Sequence, residues 1–400
     1  MAAVTRTWKS GTTAVAQINT CTIANVEIDD VFGITLTDDF GHSNAITFTA
    51  TAATEANVSA GLHAAAVAAK TAGYAPWTAV TTTDDSTYIT ITSSTAGLAF
   101  AAACTATNVG GGTDNQTLTD ATTTANVSPN DWNQASNWLD GTVPVSTDSQ
   151  IFGAVAASTS KDINGEDSSA ILLVNTWVES GCYLKFGTRD VPLYLDTDYF
   201  GFDGSGTGYF KIVNCAEIRI DNAIAAVSPN TYGLHIYGTS GSANTLTVLD
   251  PGSSADVGIC ALSDMDGEFT TIDVYSGNIT IGDTPTCTTL NVNGGTVNCS
   301  ASIDNVNING GTYRQIKGTP STALIINAGR VYYNETTMPP ITTIEGSGVL
   351  DMSEDGTAKS LAGLIVNINS SSASIYDPYD VLDFAATCDF NKVGGTLQVS

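Results

Sequence analysis

The chain has 400 residues, of which 42% are hydrophobic and 13% charged, and 40 acidic against 13 basic side chains give it a formal net charge of −27. A surface this acidic repels nucleic-acid phosphates and anionic lipid, so neither a nucleic-acid groove nor a membrane surface is expected as a partner. No run of about 18 apolar residues is present to span a bilayer. Disorder is excluded from the other side, because apolar residues recur in short regular runs, and the Thr, Ser, Asn, Gly, Val and Ile that replace charge suit strands and turns.

At roughly 150 residues per domain the length predicts two or three domains. Residues 1–20 read as an N-terminal arm. It carries Arg6, Trp8 and Lys9, an apolar centre between two of the few basic side chains, and such an arm suits an acidic neighbouring subunit. No basic segment leads into an apolar stretch, so no secretory leader is expected.

Residues 21–109 read as a compact α+β module. Stretches 22–28, 33–37 and 45–50 alternate with period two, as half-buried strands do. Residues 38–42 (Asp-Asp-Phe-Gly-His) make a turn between the second and third. Thr54 is placed to cap a helix running to about Lys70, with Val58, Leu62, Ala65, Ala66 and Ala69 on one face and Gly73 as its stop. Strands follow at 87–92 and from 97. This order of strand, Asp/Gly turn, Ile-Thr-Phe-Thr-Ala strand, Ala-rich helix, strand and Gly-x-x-Phe ending resembles a small module of phage virion and phage-like proteins. Residues 110–130, beginning Gly-Gly-Gly and continuing rich in Thr, read as a linker.

The next signal is Trp132-x-x-Ala135-x-Asn137-Trp138, then Gly141-x-x-Pro144, then Asp148 and an apolar strand. It resembles the opening motif of bacterial and phage surface β-helix proteins. That resemblance implies that Trp132, Asn137, Trp138 and Pro144 form a structural cap over the first coil, hiding a sheet end that would otherwise invite edge pairing. A carbohydrate-stacking Trp pair is the alternative.

From about residue 270 a repeat emerges. Ile272-Asp273-Val274-Tyr275-Ser276-Gly277, Leu290-Asn291-Val292-Asn293-Gly294-Gly295, Val306-Asn307-Ile308-Asn309-Gly310-Gly311 and Leu324-Ile325-Ile326-Asn327-Ala328-Gly329 each join a short alternating strand to a glycine corner. The corner glycines Gly277, Gly295, Gly311 and Gly329 recur at nearly constant intervals of 18, 16 and 18. Such a period means one supersecondary unit per repeat, too small to bury its own apolar face and stable only when stacked. Asn291, Asn293, Asn307, Asn309 and Asn327 recur beside the strands and are placed to form stacked amide ladders. The predicted fold is mainly β: a small N-terminal α+β module, then a right-handed parallel β-helix or β-solenoid over 131–400. A β-sandwich of regular hairpins is the rival.

Chemistry is sparse. His42, His63 and His235 have no ligand spacing between them, and no nucleophile elbow, phosphate loop or zinc-helix motif occurs. The eight cysteines are scattered without a C-x-x-C pair and read as buried small hydrophobes. Acidic clusters at Asp196, Asp198 and Asp203, at Asp264, Asp266 and Glu268, and at Asp351, Glu354 and Asp355 read as solvated turns. Calcium binding and glycoside hydrolysis are the sharper alternatives. No catalytic residue and no cofactor is expected, Ca²⁺ being the one candidate.

The two resemblances together imply a non-enzymatic phage virion protein, a capsid decoration or head fibre made in the host cytoplasm and placed on the virion surface. Its expected partners are the major capsid or another virion protein, and copies of itself in a homo-oligomer such as a trimer. A tail fibre or tailspike that binds a host surface glycan is one alternative. A cell-surface adhesin or self-assembling extracellular filament subunit is another.

Overall fold

A computed structural model of the chain describes residues 4–9, 13–38, 42–109, 111–129, 131–153, 162–163, 171–187, 189, 192–221, 233–239, 243–248, 256–262, 265–361, 364–383 and 388–399. The 38–42 turn (but for its ends), Gly110, Asn130 and Asp264 lie outside them. Two compact units result: residues 10–137, and residues 1–9 together with 138–400. The N-terminal segment before Ser10 therefore belongs with the C-terminal unit, and the α+β module is an insertion in it. This corrects the arm and linker boundaries read from the sequence.

The α+β unit contains β2 (Ile18–Ala24), β3 (Val31–Asp38), β4 (Ser43–Thr49), α1 (Glu55–Thr71), α2 (Ala75–Thr78), β5 (Val80–Asp84), β6 (Tyr88–Ser93), β7 (Phe100–Thr107) and β8 (Thr117–Thr124); β1 (Thr5–Thr7) belongs to the other unit. Two antiparallel sheets form, in the orders β5-β6-β2-β8 and β4-β3-β7. The helix starts and stops as its sequence dictates. Thr54 accepts a hydrogen bond from the Asn57 amide, and Gly73 takes a φ of 82° while its amide and that of Tyr74 close on Lys70 and Ala69. Val58, Leu62, Ala66 and Ala69 are buried, as the helical spacing requires, against Phe32, Ile34, Leu36, Ile89 and Ile91. A Cβ on Gly61 would fall 2.3 Å from the Phe48 ring, so this glycine lets helix and sheet approach. The "linker" contains β8, which pairs with β2 from Ile18↔Thr124 to Ala24↔Thr117. Its Thr-rich sequence, with Leu118 the one buried large side chain, is that of an outer strand with one wet face and mimics a loop. β5 and the short α2 were likewise not legible.

The other unit is a parallel β-solenoid. Each turn supplies two strands, and every pairing along the two stacks is parallel. One stack runs from β1 and β9 (Ser149–Phe152) through Glu268–Val274, Thr286–Val292, Asn305–Ile308, Ala323–Ile326 and Ile341–Ile344 to Asp389–Lys392. The other includes Asn278–Ile281, Thr296–Cys299, Thr312–Gln315 and Arg330–Tyr333 and ends at Thr396–Val399. A short third sheet pairs Lys359–Ser360 with Leu382–Asp383. Inward columns are made of equivalent residues: Ile272, Leu290, Val306 and Leu324 in one, Ile279, Val297, Tyr313 and Val331 in the next, all fully buried. Burial stabilises each of these by about 1.5–3 kcal/mol.

The corners explain the glycines. Gly277, Gly295, Gly311 and Gly329 have φ values of 85°, 70°, 69° and 77°, a region that costs an L-residue strain. Space forbids a side chain as well, since a Cβ on Gly295 would lie 2.6 Å from the Gly277 carbonyl oxygen. That carbonyl accepts the Thr296 amide at 2.8 Å, and the Gly295 carbonyl accepts the Thr312 amide at 2.9 Å. The amide ladders form as expected. Asn307 donates to Asn291 at 2.8 Å and Asn291 to Asp273 at 2.7 Å; Asn327 donates to Asn309 at 2.7 Å and Asn309 to Asn293 at 2.9 Å.

Upstream, the step between coils is longer and uneven, running from Ser149 to Asn175, from Ile171 to Leu195 and from Ile218 to Leu246. Strand pairing fixes only the residues in the ladder, so loops of variable length leave the stack intact while erasing the period from the sequence.

The insertion has a simple topological consequence. Trp8 and Trp138 face each other in an antiparallel bridge, with the Leu139 amide on the Thr7 carbonyl at 2.9 Å. A three-residue hairpin loop, Lys9 followed by a turn such as Asn-Gly, can therefore join Trp8 to Trp138. A chain with residues 10–137 replaced by that turn is expected to retain a β-type far-UV spectrum and one cooperative melt; loss of cooperative melting would show the insertion to be essential to the solenoid.

Candidate functional site

The opening of the solenoid is built from the chain's first residues. β1 pairs in parallel with β9, Thr5↔Ser149 to Thr7↔Ile151, so residues 5–7 cover the edge of the first coil. Trp8 is 4% and Trp138 1% exposed, and their rings meet edge-to-face at 5.2 Å and 88°. Both touch Phe152, at 5.9 and 6.1 Å, and the contact continues inward through Phe186, Phe210 and Phe200 at 5.1, 5.1 and 4.9 Å. Arg6 donates through Nε to Asp148 Oδ2 at 2.6 Å and through Nη1 to Asp140. Burial by itself would raise the Asp148 carboxyl, but the Arg6 hydrogen bond, the Val145 amide and the Arg6 charge outweigh it and hold the pKa below the ordinary carboxylate value. Asp148 in turn raises that of Arg6.

The expected cap is thus distributed differently from the sequence reading. Arg6 and Trp8 are internal parts of the solenoid and not a free docking arm; Lys9 alone of the three is exposed. Trp138 takes Trp8 and Phe152 as ring partners. Trp132 is buried within the inserted unit, where Asn137 Nδ2 closes the 128–137 loop on the Ser128 and Asp131 carbonyls at 2.7 and 2.8 Å. Pro144 is buried just before the turn that carries Asp148. Trp132 and Trp138, the pair of the alternative sugar-stacking reading, are 5% and 1% exposed, too enclosed for a sugar to stack on.

The third acidic cluster is ion-paired, and Asp264 of the second lies outside the described residues. Asp351 pairs with Arg330, Glu354 with Arg314 at 3.0 Å and Asp355 with Lys359 at 2.8 Å. Asp196 accepts from Asn214 at 3.1 Å. Among the described residues no three His, Cys, Asp or Glu side chains are grouped as a metal ion needs. His42 binds back to Asp38 at 3.0 Å and His63 to Thr82 at 3.0 Å. The cysteines are free thiols, and most are buried: burial pushes Cys182 up to about 11 and Cys215 and Cys287 to about 12, so they pack as small apolar groups.

Two features escaped the sequence. His235 is buried in the strand Leu234–Tyr237 and stacks on Tyr209, with ring centroids 4.1 Å apart and planes within 7°; burial, with the Arg189 charge behind it, lowers its pKa to about 4. On the outer sheet face, Trp177 stacks on Tyr199 at 5.7 Å and 13°. A Cβ on Gly201 would sit 1.9 Å from the Trp177 ring, so the indole lies against the next coil's backbone. The strand ends beside this pair carry Glu179, Asp203 and Asp221 on successive coils, with Asp221 held by Arg219 at 2.9 Å. Burial, and then the Asp221 charge, raise the Asp203 carboxyl. The only sequence signal was Trp177 and Tyr199 at outward positions of their strands; bringing them together needs the register that sets Asn175 on Tyr199.

Trp8→Ala is expected to cost about 3–5 kcal/mol and to lower the solenoid melting temperature, read by calorimetry. His235 works through protons. Its folded pKa of about 4 lies below the ordinary 6.5, so between these values the unfolded chain binds a proton that the folded chain refuses. Stability is unaffected above that window and falls as pH drops through it, by on the order of 2 kcal/mol near pH 4.5. In His235→Phe, which keeps the stack on Tyr209, urea midpoints at pH 7 and 4.5 should differ less than in the parent; an equal difference would assign the acid sensitivity to carboxylates.

No protein family matches this chain, and comparison with curated proteins and with solved structures finds no match. The functional reading rests on the geometry above.

Proposed function

We propose that this chain is a non-enzymatic structural protein of a bacteriophage particle, a capsid decoration or head fibre whose α+β unit provides attachment and whose solenoid is the displayed element. The parallel β-solenoid is compatible with a fibre- or tailspike-like structural protein. The observation that carries the reading is the opening of the solenoid, where β1, Trp8, Trp138 and the Arg6–Asp148 pair close the first coil. Covering the Ser149–Phe152 edge with the three-residue β1 leaves only a short edge at this end, which suits a projecting element in contact with solvent, because a long open parallel edge would recruit other strands. The ion pairs of Asp351, Glu354 and Asp355 favour a structural role for that cluster, since a glycosidase needs two carboxyls held in opposite protonation states across a cleft. The Ala-rich α+β unit has its own apolar core around Phe32, Leu62 and Trp77, as an independent attachment module requires.

A second reading, a tail fibre or tailspike binding a host surface glycan, is favoured by Trp177 and Tyr199. They offer a half-buried aromatic pair with Arg219 and carboxylates alongside, the combination that stacks on and hydrogen-bonds to sugars.

The test adds two proteins to particles lacking this chain: the excised unit 10–137, and the solenoid lacking it. Immunogold images should show the excised unit on the particle surface and the solenoid alone free in solution. Binding by the solenoid alone, or by neither, would reject the attachment scheme. Retention of a glycan on an array, lost at least tenfold in Trp177→Ala with the melting temperature unchanged, would favour the receptor-binding reading.

A further inference from the structure

The α+β unit leaves one sheet edge open. β4 is the outer strand of β4-β3-β7. Its inner edge pairs with β3 without a bulge, from Val31↔Thr49 to Thr37↔Ser43, and among the described residues no strand pairs with its outer edge. The opposite edge, β7, lies against β8. Natural edge strands carry a charge, a proline or a bulge that blocks pairing, and β5, the outer strand of the second sheet, ends in Asp84 with Asp85 after it. β4 reads Ser-Asn-Ala-Ile-Thr-Phe-Thr and has none of these devices.

The side chains of β4 are sorted. Ile46 is buried and Phe48 meets α1 at Gly61, whereas Ser43, Ala45, Thr47 and Thr49 are exposed. Between β4 and α1 runs a groove of about 400 Å³ lined by Ile46, Ala65, Ala68, Ala72 and Tyr74; no lining side chain is charged, and Tyr74 is 52% exposed. Asp38, at the end of β3, is turned back on its own loop, accepting the His42 amide at 2.9 Å and facing His42 Nδ1 at 3.0 Å.

We propose that β4 is a self-association edge: two copies of the chain pair their β4 strands antiparallel about a two-fold axis, extending the three-stranded sheet to six. The unpaired backbone asks for another strand edge, and an antiparallel edge is complementary to itself under two-fold symmetry. Charge selects the same partner surface. At −27, two copies repel over most of their surfaces, whereas the edge and the groove beside it bring no carboxylate against another. The alanines on this side of α1 leave room for the second copy's strand and helix. The proposal is independent of the phage reading.

Sedimentation equilibrium of the whole chain between roughly 1 and 100 µM tests it. The expected species has twice the 41.2 kDa chain mass. Ala45→Lys with Thr47→Lys should weaken the dimer at least tenfold, because like charges then face each other across the pairing. Ala45→Glu with Thr47→Glu should do the same, while both pairs of changes leave the far-UV spectrum unaltered and, at concentrations where the parent is also monomeric, the melting temperature unchanged, since these positions are exposed. A parent that stays monomeric over the range overturns the proposal. So does an oligomer that survives both variants, which would place the contact elsewhere or with a different partner, and so does disruption by Glu but not Lys, which would report net charge and not strand pairing.

Discussion

The whole C-terminal unit depends on one condition: the backbone amides and carbonyls of each coil must meet those of the next. A downstream coil has too few side chains to enclose a core, so its apolar residues are buried only by the coils above and below. That works only if every corner turns at the same place. Positive φ at Gly277, Gly295, Gly311 and Gly329 supplies the turn, and the lack of a Cβ lets Gly295, Gly311 and Gly329 rest on the carbonyl beneath them. At those three corners glycine is therefore required twice, once for its backbone angle and once for its size.

Stacking in register also imposes a rule on the outward side chains. Each column repeats at the spacing of neighbouring strands, about 4.8 Å, so whatever stands in it meets its equivalent on both sides. Amides gain from this arrangement, donating on one side and accepting on the other, as Asn291–Asn307 and Asn293–Asn309–Asn327 do. Carboxylates in the same column would repel. On a chain with 40 acids the remedy is a cation one or two coils away: Arg330 for Asp351, Arg314 for Glu354, Lys317 for Asp283.

The opening of the solenoid meets a different demand. Residues 5–8 cover the apolar interior of the Ser149–Phe152 coil, laying β1 on β9 and Trp8 on Trp138, and the chain then departs into the α+β unit before Trp138 resumes the solenoid. The aromatic spine from Trp8 to Phe200 fills the upstream interior, whereas downstream the inward columns are mostly Val, Ile and Leu, with Tyr313 and Tyr333 among them.

What the sequence by itself determined is what repeats locally. Helix α1 announces its cap at Thr54 and its stop at Gly73, and the downstream coils announce their corners and their Asn columns, because each signal lies within one turn of chain and recurs at nearly constant spacing. Of the opening motif, Asn137, Trp138 and Pro144 are buried. Only the tertiary structure decided the partners. Trp8 and Trp138 stand on either side of the whole inserted unit and meet through β-pairing that no local pattern encodes; Arg6 looked like a free charge until Asp148 was placed beside it. β8 resembled a linker since a wet outer strand and a Thr-rich loop have the same composition. Trp177 and Tyr199 come together, and His235 becomes buried, only when the long upstream coils are laid in register. Strand pairing constrains the ladder residues and leaves the loops free to vary, so the upstream sequence carries no period from which that register can be read.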